Sequence, residues 1–206
     1  ELSQAYGVGR HTIREALSRL VADSIITRRA GMGTVVNTPQ DRTRFYLDRS
    51  FSHQMAAMGR DAHSHVLDKH TGTLTKEHPA PLHGHLGKPF FYLQRLRFGD
   101  DEPIGIQASY LLSERCPGIE NEDFHDASLY DVLASKYEIV ITQIDHTVTA
   151  ETATALQIVL LQTPPTAALL GVKTVAYVHD KQLIEFTQSF YRADRYEYKT
   201  SSLFGA

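Results

Sequence analysis

Residues 90–98 and 104–112 are two apolar-rich runs of strand length, separated by Gly99-Asp100-Asp101-Glu102-Pro103, a cluster of turn-forming residues. Five residues are too few for the crossover that parallel strands require, so the two runs are expected to pair as an antiparallel hairpin. The pattern returns further on. Residues 167–177 and 183–191 bracket an Asp180-Lys181 turn, and residues 139–148 alternate loosely between apolar and polar. Between these sets, Ser128-Leu129-Tyr130-Asp131 has the form of a capping box, and Val132, Leu133 and Tyr137 follow at helical spacing. Hairpins with helices set among them specify an α+β domain with a mostly antiparallel sheet. No internal repeat or low-complexity tract interrupts it.

The first forty residues read differently. Ile13, Ala16, Leu17, Leu20 and Val21 form the stripe of a helix packed on one face, preceded by a turn at Gly7 and Gly9 and by a short segment, residues 2–6, of helical composition. Ile25-Ile26-Thr27-Arg28-Arg29, then Gly31-Met32-Gly33, then Thr34-Val35-Val36 read as a small hairpin with a glycine tip. Pro39 ends it. Three segments result: a head over residues 1–38, a linker over 39–50 and a body over 51–206. The chain opens on Glu1, inside a stretch of helical composition, so its head is expected to lack its first helix.

The formal net charge of −3 hides an asymmetry between these segments. Residues 1–60 hold nine Arg, no Lys and five acids, a net of +4, and the rest of the chain carries −7. A basic head on an acidic body is the charge pattern of a nucleic-acid module joined to something else. Cys116 is the only cysteine, which excludes an internal disulfide and a thiolate zinc cluster and suits a reducing, cytoplasmic compartment. No run approaches the ~20 apolar residues of a membrane span, so no membrane partner is expected.

Helix, glycine turn, helix, then a glycine-tipped hairpin is the plan of a winged helix-turn-helix, whose second helix lies in the major groove. The groove-facing residues are then those near its start: Arg10, His11, Thr12 and Arg14. An arginine fork matches guanine O6 and N7, and it serves equally as a phosphate clamp. Arg28 and Arg29 beside the wing suit backbone phosphates, and Gly31 lets the wing approach the duplex. An amphipathic helix with a solvated basic face would show much of the same pattern. The run Tyr6-Gly7-Val8-Gly9-Arg10-His11-Thr12-Ile13-Arg14-Glu15-Ala16-Leu17-Ser18-Arg19-Leu20 resembles the recognition helix of GntR-type bacterial regulators, and Ile26 to Val36 is similar to their wing. The resemblance implies DNA contacts at Arg10, His11 and Arg14, with Gly31 at the minor groove. Gly9 departs from it, standing where a capping Ser or Thr is usual.

In the body, Arg95 and Arg97 are two apart on a strand and share a face, an arrangement suited to holding a phosphate or carboxylate, although such a pair is also a common surface salt-bridge partner. Ser128 opens a helix, where free N–H groups favour an anion. Glu185 and Tyr191 share a face of the last strand. The order Arg95-Leu96-Arg97-Phe98, Ser109-Tyr110, Ser128 to Leu133, Ile184-Glu185-Phe186 and Phe190 to Tyr196 resembles the UTRA effector domain of the HutC subfamily. That resemblance implies a chorismate-lyase-like fold with a ligand pocket. By analogy with members that sense amino-sugar phosphates, it implies phosphate contacts at Arg95, Arg97, Ser128 and Tyr130. Glu185 and Tyr191 would then lie on the sugar side, with Ser50, Phe51 and Ser52 in a segment that closes over the ligand. Thr174, Lys181 and Leu183 depart from the pattern of the last hairpin.

His63-x-His65 and His83-x-His85 invite a metal reading, each pair being able to share a strand face, but no H-E-x-x-H and no cysteine partner accompany them. No metal or cofactor is expected, and no nucleophile–base pair stands at diagnostic spacing. The sequence therefore reads as a homodimeric, ligand-responsive repressor that binds operator DNA and is released by a small anionic effector such as a sugar phosphate. A urocanate-like acid sensor and a chorismate-lyase-like enzyme are the alternatives.

Overall fold

The computed structural model describes residue 3 and residues 6–22, 26–29, 33–36, 44–45, 51–57 and 59–198. In the head, α1 spans Arg10–Ala22. Gly7 turns the chain at φ +64°, the Val8 N–H donates to the Ser3 carbonyl at 3.2 Å, and the Ile13 N–H donates to Gly9 at 3.1 Å, so Gly9 caps the helix. Ile13, Leu17 and Leu20 are half-buried while His11, Thr12, Arg14 and Glu15 are exposed, the expected two faces. Ala16 is exposed too, so it is not part of the apolar stripe. Strands β1 (Ile26–Arg29) and β2 (Gly33–Val36) pair antiparallel from Ile26 opposite Val36 to Arg29 opposite Gly33.

The body is built on one six-stranded sheet. Its strands are β4 (Ala62–Thr73), β5 (Pro89–Gly99), β6 (Glu102–Leu112), β7 (Gln143–Thr152), β8 (Ala168–Val178) and β9 (Gln182–Arg192), in the order β4-β5-β6-β9-β8-β7. Every neighbouring pair is antiparallel. The β5–β6 hairpin forms as expected. Asp100 takes the left-handed conformation (φ 55°), and its carboxylate accepts from Arg60 Nε at 2.9 Å and the Asp61 N–H at 3.1 Å, tying the turn to the start of β4. Those hydrogen bonds hold the Asp100 carboxyl below its usual range. The β8–β9 hairpin also forms, with Asp180 and Lys181 both left-handed (φ 59° and 54°), so the turn dispenses with glycine.

Short helices cover the sheet. Helix α2 (Phe51–Ala57) precedes β4, α3 (Leu129–Tyr137) lies between β6 and β7, and α4 (Ala155–Leu161) follows β7. The Ser128 hydroxyl caps α3 by accepting from the Asp131 N–H at 3.4 Å, and a full capping box joins Thr154 and Gln157 at the start of α4. Leu129 and Leu133 of α3 pack with Phe91, Leu93 and Leu111, whereas Leu161 of α4 packs on Leu96, Phe98 and Ile106 from the opposite sheet face. Residues 39–50, expected as a plain linker, contain the short strand β3 (Arg44–Phe45), which pairs in parallel with β10 (Glu197–Tyr198). Two-residue strands separated by some 150 residues of chain leave no periodicity to read, which is why neither was anticipated.

The histidine pairs separate in kind. His63 and His65 lie on β4, each with its ring 4.7 Å from the Phe98 ring, so they pack as aromatics. His83 and His85, expected to share a strand face, sit instead in a 3-10 helix over Ala80–His85, because Pro79 and Pro81 force a tight turn there. Among the described residues no three potential ligands gather as a metal site, and no helix is long and apolar enough to cross a membrane.

Gly105 of β6 lies directly under the Tyr191 ring of β9, and a Cβ added there would overlap that ring. Gly105→Ala is therefore expected to destabilise the body by about 1–3 kcal/mol through overpacking, read as a lower urea midpoint with unchanged slope.

Candidate functional site: an anion pocket on the sheet

Antiparallel register lays the pocket out in rows across one face of the sheet. One row runs Arg97, Gly105, Tyr191; the next Arg95, Gln107, Ser189, Val172; the next Leu93, Ser109, Thr187, Thr174, His146; and beyond these Glu185 stands beside Leu111 and Ala176. Helix α3 presents Ser128, Leu129 and Tyr130 to the same space, and α2 presents Phe51. Together they enclose a cleft of about 600 Å³, its open mouth included.

Arg95 and Arg97 form its cationic end, and neither is a surface salt-bridge residue: they are only 3 % and 2 % exposed. Arg95 donates through Nη1 to the Ala127 carbonyl and through Nη2 to Gln107 Oε1, both at 3.1 Å. Arg97 reaches Ser52 Oγ at the long distance of 3.5 Å, and its guanidinium carbon lies 4.3 Å from the centre of the Phe51 ring. Arg95 Nε and both Nε and Nη1 of Arg97 are buried without a hydrogen-bond partner among the described residues. Burial pulls the Arg95 pKa down to about 10 against the opposing pull of Glu185, and burial together with Arg95 itself holds Arg97 well below the arginine range. A guanidinium does not escape by losing its proton at neutral pH. The pocket therefore presents a concentrated positive charge suited to an anion.

Glu185, 2 % exposed, stands at the other end and accepts from the Tyr130 hydroxyl at 2.8 Å. Burial and that carboxylate raise the Tyr130 pKa well above its ordinary value, so Tyr130 remains a donor. Tyr191 is also raised by burial. Neutral hydroxyl and amide groups fill the middle: Gln107, Ser109, Thr187, Ser189, and Thr174 with its Oγ1 3.0 Å from His146 Nδ1.

Of the residues singled out in the sequence, the structure brings Phe51, Arg95, Arg97, Ser128, Tyr130, Glu185 and Tyr191 to this cleft, with Ser52 touching Arg97. Ser50 and the wing residue Gly31 lie outside the described residues. Arg10 is in the first turn of α1, and Arg28 and Arg29 are in β1. His11, Thr12 and Arg14 are exposed on α1, with His11 Nδ1 4.0 Å from Glu15. Sequence reasoning missed the role of Gln107, Ser109, His146, Thr174, Thr187 and Ser189 as pocket wall. Alternation along each strand held the signal, but the strand order needed to align the rows was not in it.

The UTRA domain model matches residues 57–197, most of the chain, and the model of the gntR family of bacterial regulatory proteins matches residues 1–36. The chain is a UTRA-domain regulator with a gntR-family head. The HTH-type transcriptional repressor NagR of Bacillus subtilis is 27% identical over 206 residues, covering 96% of this chain and 81% of that protein. The repressor PhnF of Mycolicibacterium smegmatis is 29% identical, covering 95% and 79%. A crystal structure of PhnF superposes with TM-score 0.71 at 27% identity, covering 98% of this chain and 88% of that one. A structure of the possible transcriptional regulator YydK from Bacillus subtilis reaches TM-score 0.76 at 14% identity, covering 98% and 86%, a likeness of fold. Of these relatives, NagR and PhnF are HTH-type transcriptional repressors.

Removing an uncompensated buried charge should relieve the fold while disabling the site. Arg97→Met is expected to raise the stability of the ligand-free protein by about 1–3 kcal/mol and to abolish any rise in melting temperature with added inorganic phosphate. A lower melting temperature for Arg97→Met would refute this account of the pocket.

Proposed function

We propose that this protein is a HutC-type repressor that binds a pseudo-palindromic operator as a homodimer and lets go of it when a small anionic effector, of the sugar-phosphate class, fills the cleft. The observation that carries the reading is the set of three buried guanidinium nitrogens on Arg95 and Arg97 that have no hydrogen-bond partner among the described residues. Buried donors are almost always satisfied, and an unpaired one costs about 1–3 kcal/mol. Donors on two charged forks suit the several oxygens of a phosphate monoester, with the Ser128 hydroxyl and the first turn of α3 beside them. A planar carboxylate of the urocanate kind would satisfy fewer. The band of neutral hydroxyl and amide groups between the arginines and Glu185 suits a polyhydroxylated ligand body.

Arg10, His11, Thr12 and Arg14 would read or clamp the operator from the first turn of α1, with Arg28, Arg29 and Gly31 at the wing. Two such heads are needed because a single recognition helix covers one half-site, and half-sites lie about one helical turn apart. Such a regulator works in the cytoplasm. Effector binding shifts the balance between two dimer arrangements, and a coupling of about 1–3 kcal/mol is ordinary for such a switch.

A thermal-shift screen of sugar phosphates, urocanate, phosphonates and chorismate tests the effector class. A sugar phosphate at 100 times its Kd should stabilise by about 2.7 kcal/mol, a rise of roughly 5–10 °C for a chain of this size. A response to urocanate alone would overturn the phosphate reading. On DNA, Arg10→Ala/Arg14→Ala should lose operator affinity, whereas Arg95→Ala/Arg97→Ala should keep it and no longer respond to effector. Retained affinity in the first pair would refute the head's assignment, and unaltered release in the second would refute the pocket's.

A further inference from the structure

We propose that Tyr196 is a positioning residue that couples occupancy of the anion pocket to β3, the strand between the DNA-binding head and the body. The inference rests on the effector reading above and goes beyond it by naming the route.

The route is a run of contacts. The Arg97 guanidinium lies over the Phe51 ring at 4.3 Å, the Phe51 and Tyr191 rings are parallel within 6° at 6.5 Å, and the Tyr191 and Tyr196 rings are parallel within 7° at 4.3 Å. All three rings are buried, and together with Met55, Ile104 and Val172 they form their own apolar cluster. Tyr196 immediately precedes β10, and β10 pairs with β3, Glu197 opposite Arg44 and Tyr198 opposite Phe45. Phe51 follows Phe45 by six residues in the chain. The strand β3 is therefore tied to the pocket twice, covalently through Phe51 and by hydrogen bonding through β10 and Tyr196. Both ties converge on Tyr191, a wall of the pocket.

The two ties differ in strength. A parallel ladder of two residues is the weakest kind of sheet contact, and segments that move in allostery come from the least stable parts of a fold. The stack is well packed. Tyr191 sits over Gly105 and has no room to retreat toward β6. An anion that engages Nε and Nη1 of Arg97 acts on the group lying against Phe51, the first ring of the stack. Any adjustment there reaches Tyr196, and one residue later it reaches the ladder that holds β3. Tyr196 does not line the pocket, so its part is to pass on the change rather than to bind.

Amide hydrogen exchange on the full chain, with saturating inorganic phosphate as the probe, tests this. In the wild type, phosphate should change exchange both in the pocket strand, residues 93–98, and in the ladder, residues 44–45 and 197–198, by at least about 5-fold, the low end of ordinary coupling. In Tyr196→Ala the pocket response should persist and the response at 44–45 should vanish, while Tyr196→Phe, which keeps the stacked ring, should behave as the wild type. A chain ending at Tyr196 keeps the stack, lacks β10, and should lose the response at 44–45 as well. A wild-type response at 44–45 in Tyr196→Ala and in the shortened chain overturns the proposal. A wild type that responds in the pocket but not at 44–45 overturns the coupling alone, and a wild type with no pocket response overturns the effector reading and the coupling with it.

Discussion

Two positive charges buried on one strand face, with one carboxylate to answer them, set the terms for the rest of this body. Arg95 and Arg97 are held in place by β5, which is paired on both sides, and their guanidinium groups lie against the Phe124 and Phe51 rings respectively. A fold that needed only stability would place apolar side chains there. The apolar clusters on either side, one under α3 and one under α4, supply the stability that tolerates such a pair. The site is thus a local deficit sustained by a well-packed sheet, the usual relation between binding function and stability.

Much of this was legible in the sequence, for reasons specific to particular residues. Gly99-Asp100-Asp101-Glu102-Pro103 fixed the direction of β5 against β6, and with it the placing of Arg95 and Arg97 on a single face. Ser128 could be read as a helix start because capping chemistry is local. The β8–β9 turn was readable from Asp180 and Lys181 even without its glycine. The register between distant strands was not readable. Gln107 comes opposite Arg95, and Ser189 opposite Gln107, only once the order β5-β6-β9 is known. The long strand β4 escaped because its consecutive polar residues Asp68, Lys69 and His70, exposed on both faces, break the alternation. Helix α4 escaped for the opposite reason. Residues 155–161 are almost wholly apolar, and a short apolar run does not declare its period.

Charge is organised by depth as well as by position along the chain. The acidic excess of the body lies mostly in exposed ion pairs and loops, such as Lys88 with Glu114, the link between Lys136 and Glu122, and the cluster of Arg60, Asp100, Glu102, Arg192, Asp194 and Arg195 at the β5–β6 and β9 ends. Exposed pairs of this sort contribute little each, but Arg192 is buried and also donates to the Pro103 and Leu161 carbonyls, so that end of the sheet is stitched together. The cationic pocket lies inside this acidic shell. Charge counted along the sequence shows the shell and misses the interior.

The pocket's walls sit on strands of unequal freedom. The arginines belong to β5, held by a neighbour on each side, whereas His146 and Ile144 belong to β7, an edge strand paired only with β8. A change on β7 disturbs one ladder, and a change on β5 disturbs two. Over descent, the wall that meets the body of a ligand can therefore be rewritten at small cost while the grip on its charge stays fixed. A sheet laid out in this way lets one scaffold diversify into sensors of many compounds that share a single charged handle.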